Sequence, residues 1–240
     1  MLGQYTGYLF LGFGLLFTVL ELVRPARRID YRTVVKKDIG ALVVYQAVFG
    51  PAALYVSSFA QPDLSLFRWV THVPWPIRIV LFVVLTDLAS YWLHRAMHGR
   101  HLWRVHRWHH SPRYMYWLAG IRATLPQQVL FNLPGALCLP LLIGAPLWVF
   151  FLLLAQPFIV NDWMHANLTW RSDRLEWVLV TPRYHHVHHS ADPRHHAMNL
   201  GAMFTAWDRL FGTYVNPDEV GELSFGIGTS VLPVRLALGL

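Results

Sequence analysis

Long uninterrupted apolar runs decide what this chain can fold into. Three of them, Tyr5–Val23, Ile39–Ala60 and Ile77–Leu93, are long enough for a helix to cross the hydrocarbon layer of a bilayer. A fourth stretch, Val129–Val160, is interrupted at Gly144 and predicts a helical hairpin. Only 14% of the residues are charged, well below the roughly 25% of soluble domains. The sequence therefore predicts an all-α integral membrane protein with about four to five membrane helices, the hairpin included.

The basic residues are distributed unevenly between the connections. They concentrate between the first two apolar runs, after the third run and after the hairpin, whereas Arg68 and Arg78 are the only ones between the second and third runs. Cytoplasmic connections are enriched in Lys and Arg, so this alternation predicts an amino terminus outside and a functional region facing the cytoplasm. The net charge of +7 is thus a membrane signature, and no nucleic-acid partner is expected. We predict a multi-pass protein of a bacterial inner membrane.

The chain contains no internal repeat, no low-complexity segment and a single cysteine, Cys138. An intramolecular disulfide is therefore excluded. We expect one membrane domain over 1–240, in which 1–83 form amino-terminal membrane helices, 84–215 the catalytic region and 216–240 a carboxy-terminal tail. Within the catalytic region we expect a helical cap on the cytoplasmic side that carries the histidines described next.

Twelve of the fourteen histidines fall in two short windows, 94–110 and 185–196. The first window contains H-x-x-x-H followed by H-x-x-H-H, and the second contains H-x-x-H-H again. Helical residues three and four apart share a face, so each cluster is expected to aim two or three imidazoles at one point. Eight such imidazoles exceed what one ion accepts, which predicts two metal ions. The candidate ligands are His94, His98, His106, His109, His110, His185, His188 and His189.

Three further residues are placed to support such a centre. His165 lies where the hairpin returns to the side of the histidine windows, which makes it a ninth candidate ligand. Asn161 lies one helical turn before it, so its amide is expected to face the same cavity. Asp87 shares a face with His94 and His98 and is a candidate to orient a ligand by accepting its second N–H.

The residues also limit the chemistry. Zinc peptidases with helical H-x-x-x-H need a glutamate beside the first histidine, whereas this chain has Arg95 there and no Asp or Glu between 88 and 161. All-nitrogen sites suit iron, copper or zinc, and affinity alone does not choose among them. Histidine ligation in an apolar setting favours redox chemistry on an apolar substrate. The alternative is a non-catalytic, histidine-rich membrane protein that handles metal, although a transporter would place its ligands near the middle of the membrane.

The joint pattern resembles the fatty acid hydroxylase/sterol desaturase superfamily of membrane enzymes over about residues 84–215. Five blocks carry the resemblance: Asp87 with Tyr91, Trp92, His94, Arg95 and His98; His106 with His109, His110 and Ser111; His165 with Asn167; Pro182 with His185, His188, His189 and Ser190; and Trp207 with Asp208, Gly212 and Thr213. The resemblance implies two iron ions, O2 as co-substrate, electrons from a separate electron-transfer protein and a membrane lipid as substrate.

The same resemblance assigns roles to individual residues. It implies that the iron ligands are His94, His98, His106, His109, His110, His165, His185, His188 and His189. It also implies that Asp87, Asn161 and Asp208 are supporting polar residues. Both outcomes of C–H oxidation, hydroxylation and desaturation, stay open because the same ligands serve each of them. The lipid also stays open, whether sterol-like or fatty-acyl-like.

Overall fold

The computed structural model describes residues 3–228 and 233–240, and every regular element within those ranges is helical. The longer helices are α1 Gly3–Val23, α2 Tyr31–Val44, α3 Gly50–Ser58, α4 Trp75–Met97, α6 Leu125–Leu137 and α7 Leu147–His165. The shorter ones are α5 Trp103–His106, α8 Asp173–Glu176, α9 Pro182–His188, α10 Ala206–Phe211 and α11 Pro233–Ala237. Segments of 3₁₀-helix lie at Leu64–His72, Trp117–Ile121, Leu139–Leu142, Pro193–His195 and Pro217–Glu219. The all-α expectation is confirmed.

Three helices in the described part of the chain are long and apolar enough to cross a membrane: Tyr31–Ser58, Trp75–Met97 and Leu147–His165. Between 17% and 22% of the most apolar window of each is buried inside the protein, so something other than protein must cover the rest. The acyl chains of a bilayer cover this apolar surface without a free-energy cost, whereas its exposure to water is unfavourable. A shorter apolar helix, Gly7–Val23, lies beside α7. The chain is an integral membrane protein.

The second apolar run is not one regular α-helix. A π-helical segment, Tyr45–Phe49, separates α2 from α3, and the N–H of Gly50 donates to the carbonyl oxygen of Tyr45. Pro51 follows at once; a proline lacks an N–H and clashes with the carbonyl four residues earlier, and the wider π turn relieves that conflict. The sequence predicts the helix here but not this local widening.

The predicted hairpin has arms of unequal length. Helix α7 has 19 residues, but α6 has only 13, which at 1.5 Å per residue spans about 20 Å, less than the bilayer core. At the hairpin tip, Arg78 of α4 donates from Nη1 to the carbonyl oxygens of Leu141 (3.1 Å) and Ile143 (2.6 Å). In place of the expected four to five membrane helices, the described residues contain three candidate spans, the shorter helix α1 and the arm α6, which is about two thirds as long as α7.

The short helices gather at the other end of the bundle, in a region we call the cap (residues 98–124 and 166–228). Two buried carboxylates of the amino-terminal helices attach it. Glu21 of α1 accepts from the backbone N–H groups of Trp117 (2.7 Å) and Asn167 (2.8 Å). Asp38 of α2 accepts from the guanidinium of Arg122 and from the hydroxyl of Tyr116. Ionisable groups in membrane helices persist when they are paired in this way, and these pairs fix the cap on the bundle.

Candidate metal centre

The nine histidines predicted as ligands meet in two groups at the junction of the bundle and the cap. Within each group the candidate ligand atoms lie within 4.8 Å of one another. The first group consists of His94, His98, His106, His110 and His188, and the second of His109, His165, His185 and His189. Residues up to 94 positions apart in the sequence are thus neighbours in space, and no other residue type enters either group.

The segment His106–His110 contributes to both groups. His106 and His110, four residues apart, face the first group, whereas His109 faces the second. Adjacent residues on a helical turn point about 100° apart, so His109 and His110 diverge. Each H-x-x-H-H cluster therefore aims two imidazoles at one point, as expected, and its third imidazole at the other group.

Helix α9 repeats the arrangement with the groups exchanged. His185 and His189 face the second group and His188 the first. Each group also contains a candidate ligand from a membrane helix, His94 of α4 in the first and His165 of α7 in the second. Both groups therefore depend on the same docking of the cap onto the bundle.

All nine imidazoles are nearly inaccessible to solvent, none of them more than 6% exposed. Burial is the main reason that the pKa values of His106, His109 and His110 lie well below their usual range, and neighbouring histidines lower them further. The same holds for the pKa values of His185 and His189. These side chains are consequently neutral, which is the form that binds metal.

Hydrogen bonds fix the tautomer of four of the nine. A carbonyl oxygen can only accept, so each Nδ1 bonded to one must carry the proton of the neutral ring. The Nε2 of that ring then has a free lone pair. The bonds are His94 Nδ1 to Leu200 (2.8 Å), His109 Nδ1 to Arg122 (3.2 Å), His165 Nδ1 to Asn161 (2.7 Å) and His188 Nδ1 to Met198 (2.9 Å). Four Nε2 atoms are thereby prepared as ligand atoms.

One contact between two of these Nε2 atoms indicates that the second group can hold a metal ion. Nε2 of His109 lies 3.2 Å from Nε2 of His165, and neither atom carries a proton. Two lone pairs this close repel unless a cation lies between the rings. A metal bound to imidazole at about 2.0–2.1 Å holds neighbouring nitrogens about 2.9–3.4 Å apart in octahedral or tetrahedral geometry. The other Nε2 separations in the second group, 3.0–3.2 Å, lie in the same range.

Unpartnered nitrogen atoms in the first group lead to the same conclusion. Both ring nitrogens of His98 and Nε2 of His188 are buried without a hydrogen-bond partner among the described residues. Leaving a buried polar atom unsatisfied costs about 1–3 kcal/mol, so such atoms persist where a ligand satisfies them. The residues of both groups fit metal ions.

The predicted supporting residues act on the backbone around the groups. Asp87 accepts from the N–H groups of Met203 (2.9 Å) and Phe204 (3.1 Å) and from Nε1 of Trp207 (2.8 Å), not from a histidine as expected. Its position seven residues before His94 puts it too far along α4, and it fixes α10 instead.

For Asn161, the backbone rather than the side chain supports a candidate ligand. Its carbonyl oxygen accepts from Nδ1 of His165, while its amide donates to Asp162 (3.2 Å). The side-chain amide of Asn161 thus bonds to Asp162, and the contact with His165 comes from the main chain instead. The one-turn spacing on α7 that suggested the amide also explains the carbonyl, because residue i's C=O points toward residue i+4.

Of the three predicted supporting residues, Asp208 acts most nearly as expected. It accepts from the N–H groups of Leu200 and Gly201 (both 2.7 Å) and from the hydroxyls of Tyr184 and Thr213. The carbonyl oxygen of Leu200 is the acceptor of the His94 Nδ1–H, so Asp208 holds the loop that orients a candidate ligand. Burial raises the pKa of Asp208, and its four hydrogen bonds oppose that rise.

Sequence reasoning missed two residues that act on candidate ligands. Arg122 is held by Asp38, and its carbonyl oxygen receives the His109 Nδ1–H. Arg27 donates to Nδ1 of His186 (2.9 Å), which leaves Nε2–H of His186 to donate to the carbonyl oxygen of His165. The only sequence signal was charge beside apolar runs, which marks functional positions in membrane helices.

The remaining histidines lie outside both groups. His72 and His101 are exposed. Nε2 of His196 donates to the carbonyl oxygen of His98 at the end of α4, and His195 is buried in the same loop.

Comparison with known proteins gives one consistent family. The family model described as fatty acid hydroxylase matches residues 79–213. The chain is 30% identical to the ornithine lipid hydroxylase OlsE of Rhizobium tropici, over 82% of this chain and 60% of that protein. It is 33% identical to the alkylglycerol monooxygenase of Xenopus tropicalis, over 62% of this chain and 33% of that protein.

A third relative comes from sterol metabolism. The chain is 29% identical to the methylsterol monooxygenase erg25A of Aspergillus fumigatus, over 66% of this chain and 55% of that protein. The chain thus spans between a third and three fifths of the length of these relatives. No solved structure matches it. The matched region contains every histidine of the two groups.

Proposed function

The chain belongs to the fatty acid hydroxylase family, and from this premise we propose that it is a membrane di-iron enzyme that oxidises a C–H bond of a membrane lipid with O2. Its relatives include a lipid hydroxylase, monooxygenases and a sterol desaturase. The observation that carries the proposal is the pair of buried all-histidine groups, with the His109–His165 contact that a bound cation would stabilise.

The chain's own residues have three tasks in this proposal. The two groups hold the ions, with the nine histidines as ligands. Burial excludes bulk water, and the carbonyl oxygens at Leu200, Arg122, Asn161 and Met198 keep Nε2 free for the metal. Bound iron would supply the reduction of O2 and the oxidation of an unactivated C–H bond, which no side chain provides.

The overall reaction needs a reductant. Hydroxylation converts R–H, O2, two electrons and two protons into R–OH and water; desaturation uses the same inputs and gives an alkene and two waters. We therefore propose a separate electron-transfer protein as partner.

Oxygen-18 gas tests the function directly. Membranes containing the protein, supplied with a reductant and its electron carrier, are expected to yield an oxidised lipid that membranes without it lack. A hydroxylase product carries one oxygen-18 atom, and a desaturase product carries none but has lost two hydrogens. A protein that retains metal but oxidises no lipid when O2, reductant and electron carrier are supplied would instead be the non-catalytic metal-handling alternative.

We also propose that the cap faces the cytoplasm. The support is the concentration of Lys and Arg in the cap and in the connection between α1 and α2, against Arg68 in the connection at the other end. Reporter fusions after Pro62 and after Arg194 are expected to report opposite sides, with Arg194 inside. The same side for both would refute this topology.

A further inference from the structure

A cavity of about 1510 Å³ lies beside the histidine groups. His98, His110, His188 and His189 form part of its wall, so a molecule inside it reaches both groups. Pockets for drug-sized ligands measure roughly 300–1,000 Å³, and this cavity is larger. It therefore has room for a ligand with the bulk of a membrane lipid next to the candidate metal centre.

Beyond Lys37, the part of the cavity lining that one face of α2 provides is apolar. Val34, Lys37, Ala41 and Val44 line it, spaced by three and four residues as one helical face requires. From Lys37 to Val44 the helix rises about 10 Å. Beyond Val44 the lining continues to Phe49, which packs in a buried apolar cluster with Trp108 and Leu236. A ligand that follows this face has a polar end and an apolar end.

The carboxylates of the cavity are already neutralised. Asp38 forms a buried ion pair with Arg122, and Asp192 an ion pair with Arg194 at 2.6 Å. Neither is free to attract a cationic headgroup. The charge that the cavity presents to a ligand therefore comes from its remaining cations.

Two of those cations, Lys37 and Arg113, have no ion pair or side-chain hydrogen bond among the residues that the structure describes. Arg113 is positioned by Gly226, whose φ is +97° and where a Cβ would lie 3.2 Å from the Arg113 Cγ. The stem of Arg113 thus packs against a backbone position that only glycine fills easily. Both cations line the cavity.

We propose that this cavity binds the substrate lipid and that the lipid has an anionic, phosphate-bearing headgroup, which Lys37 and Arg113 contact while the chains follow the apolar lining past the histidines. Arg and Lys are the side chains that bind phosphate, and a juxtamembrane position adds attraction to anionic lipids. The inference rests on the proposed function only in calling the lipid a substrate. Binding of the lipid does not require turnover.

Equilibrium binding to the purified full-length protein in neutral detergent tests the proposal. The probes are phosphatidylglycerol and phosphatidylcholine with identical acyl chains. Phosphatidylglycerol is expected to bind more tightly, and Lys37→Gln and Arg113→Gln each to weaken it about fivefold while weakening phosphatidylcholine, whose headgroup has no net charge, much less. Lys36→Gln is the matched control, because Lys36 is exposed on the same helix but does not line the cavity. Lys37→Arg, which keeps the positive charge, is expected to bind phosphatidylglycerol as tightly as the wild type.

Three results would overturn the inference: equal affinity of the wild type for both lipids, an equal loss in Lys36→Gln, or displacement of phosphatidylglycerol by millimolar inorganic phosphate, which would indicate a site for free anions. The outcome is independent of the proposed function. Selective binding without any lipid oxidation would contradict the function and leave this inference intact, whereas lipid oxidation with unselective binding would do the reverse.

Discussion

Replacing His109 with alanine is expected to lower O2-dependent lipid oxidation more than about 100-fold while the protein still inserts in the membrane. His109 supplies one of four imidazoles of the second group, and its Nε2 faces that of His165. Loss of a residue that merely orients a ligand already costs 10–100-fold, so loss of a ligand should cost more. Insertion survives because the apolar runs partition into lipid regardless of the cap. Product formation is measured beside the amount of protein in the membrane.

Two further variants make this experiment specific. His188→Ala removes a candidate ligand from the first group and should be equally inactive. His101→Ala is the matched control, since His101 is exposed, lies in the same cap and belongs to neither group. If His109→Ala oxidised lipid at the rate of His101→Ala, the second group would not be a catalytic metal site.

Replacing Asp208 with alanine is expected to destabilise the cap by several kcal/mol. The carboxylate receives four hydrogen bonds and is fully buried, so its removal leaves the N–H groups of Leu200 and Gly201 and the hydroxyls of Tyr184 and Thr213 without their acceptor. Each buried unsatisfied group costs about 1–3 kcal/mol. Thermal unfolding in detergent measures the loss, and Asp208→Asn, which keeps one acceptor oxygen, should be intermediate.

The control for Asp208 is Glu219→Ala. Glu219 is an exposed carboxylate of the same cap with one hydrogen bond, from Asn216, and its removal should change the melting temperature little. Equal melting temperatures for Asp208→Ala and Glu219→Ala would show that the buried network does not stabilise the cap.

The membrane class and the identity of the clustered histidines could be predicted from the sequence because both are local signals. An apolar run of bilayer length has few alternatives to a helix, and the spacing of the histidines places several on one face. The residues named as candidate ligands therefore include every residue of both groups; His165 was named from the direction in which α7 returns and from the His165–Asn167 block of the family resemblance.

The division of the histidines between two groups could not be predicted. It depends on how α9 and the segment His106–His110 lie against each other, and that is a long-range packing result. A rotation of α9 by one residue, about 100°, would exchange His188 and His189 between the groups with no change in sequence spacing. Ligand assignment within a histidine cluster therefore needs tertiary structure.

The attachment of the cap was also hidden in the sequence. Glu21 and Asp38 lie more than 75 residues before Trp117 and Arg122, the groups that they bind. Charged residues at these positions signal function, but nothing local identifies a partner so distant. Asp87 illustrates the opposite error, because its helical phase with His94 suggested a contact that α10 makes instead.

Metal analysis of the purified wild-type protein tests the central claim most directly. After expression with iron, the two histidine groups predict two iron ions per chain, and His109→Ala and His188→Ala are each expected to hold fewer, whereas His101→Ala keeps both. A wild-type protein that holds no metal after loading, or ligand variants that retain as much iron as His101→Ala, would contradict the account.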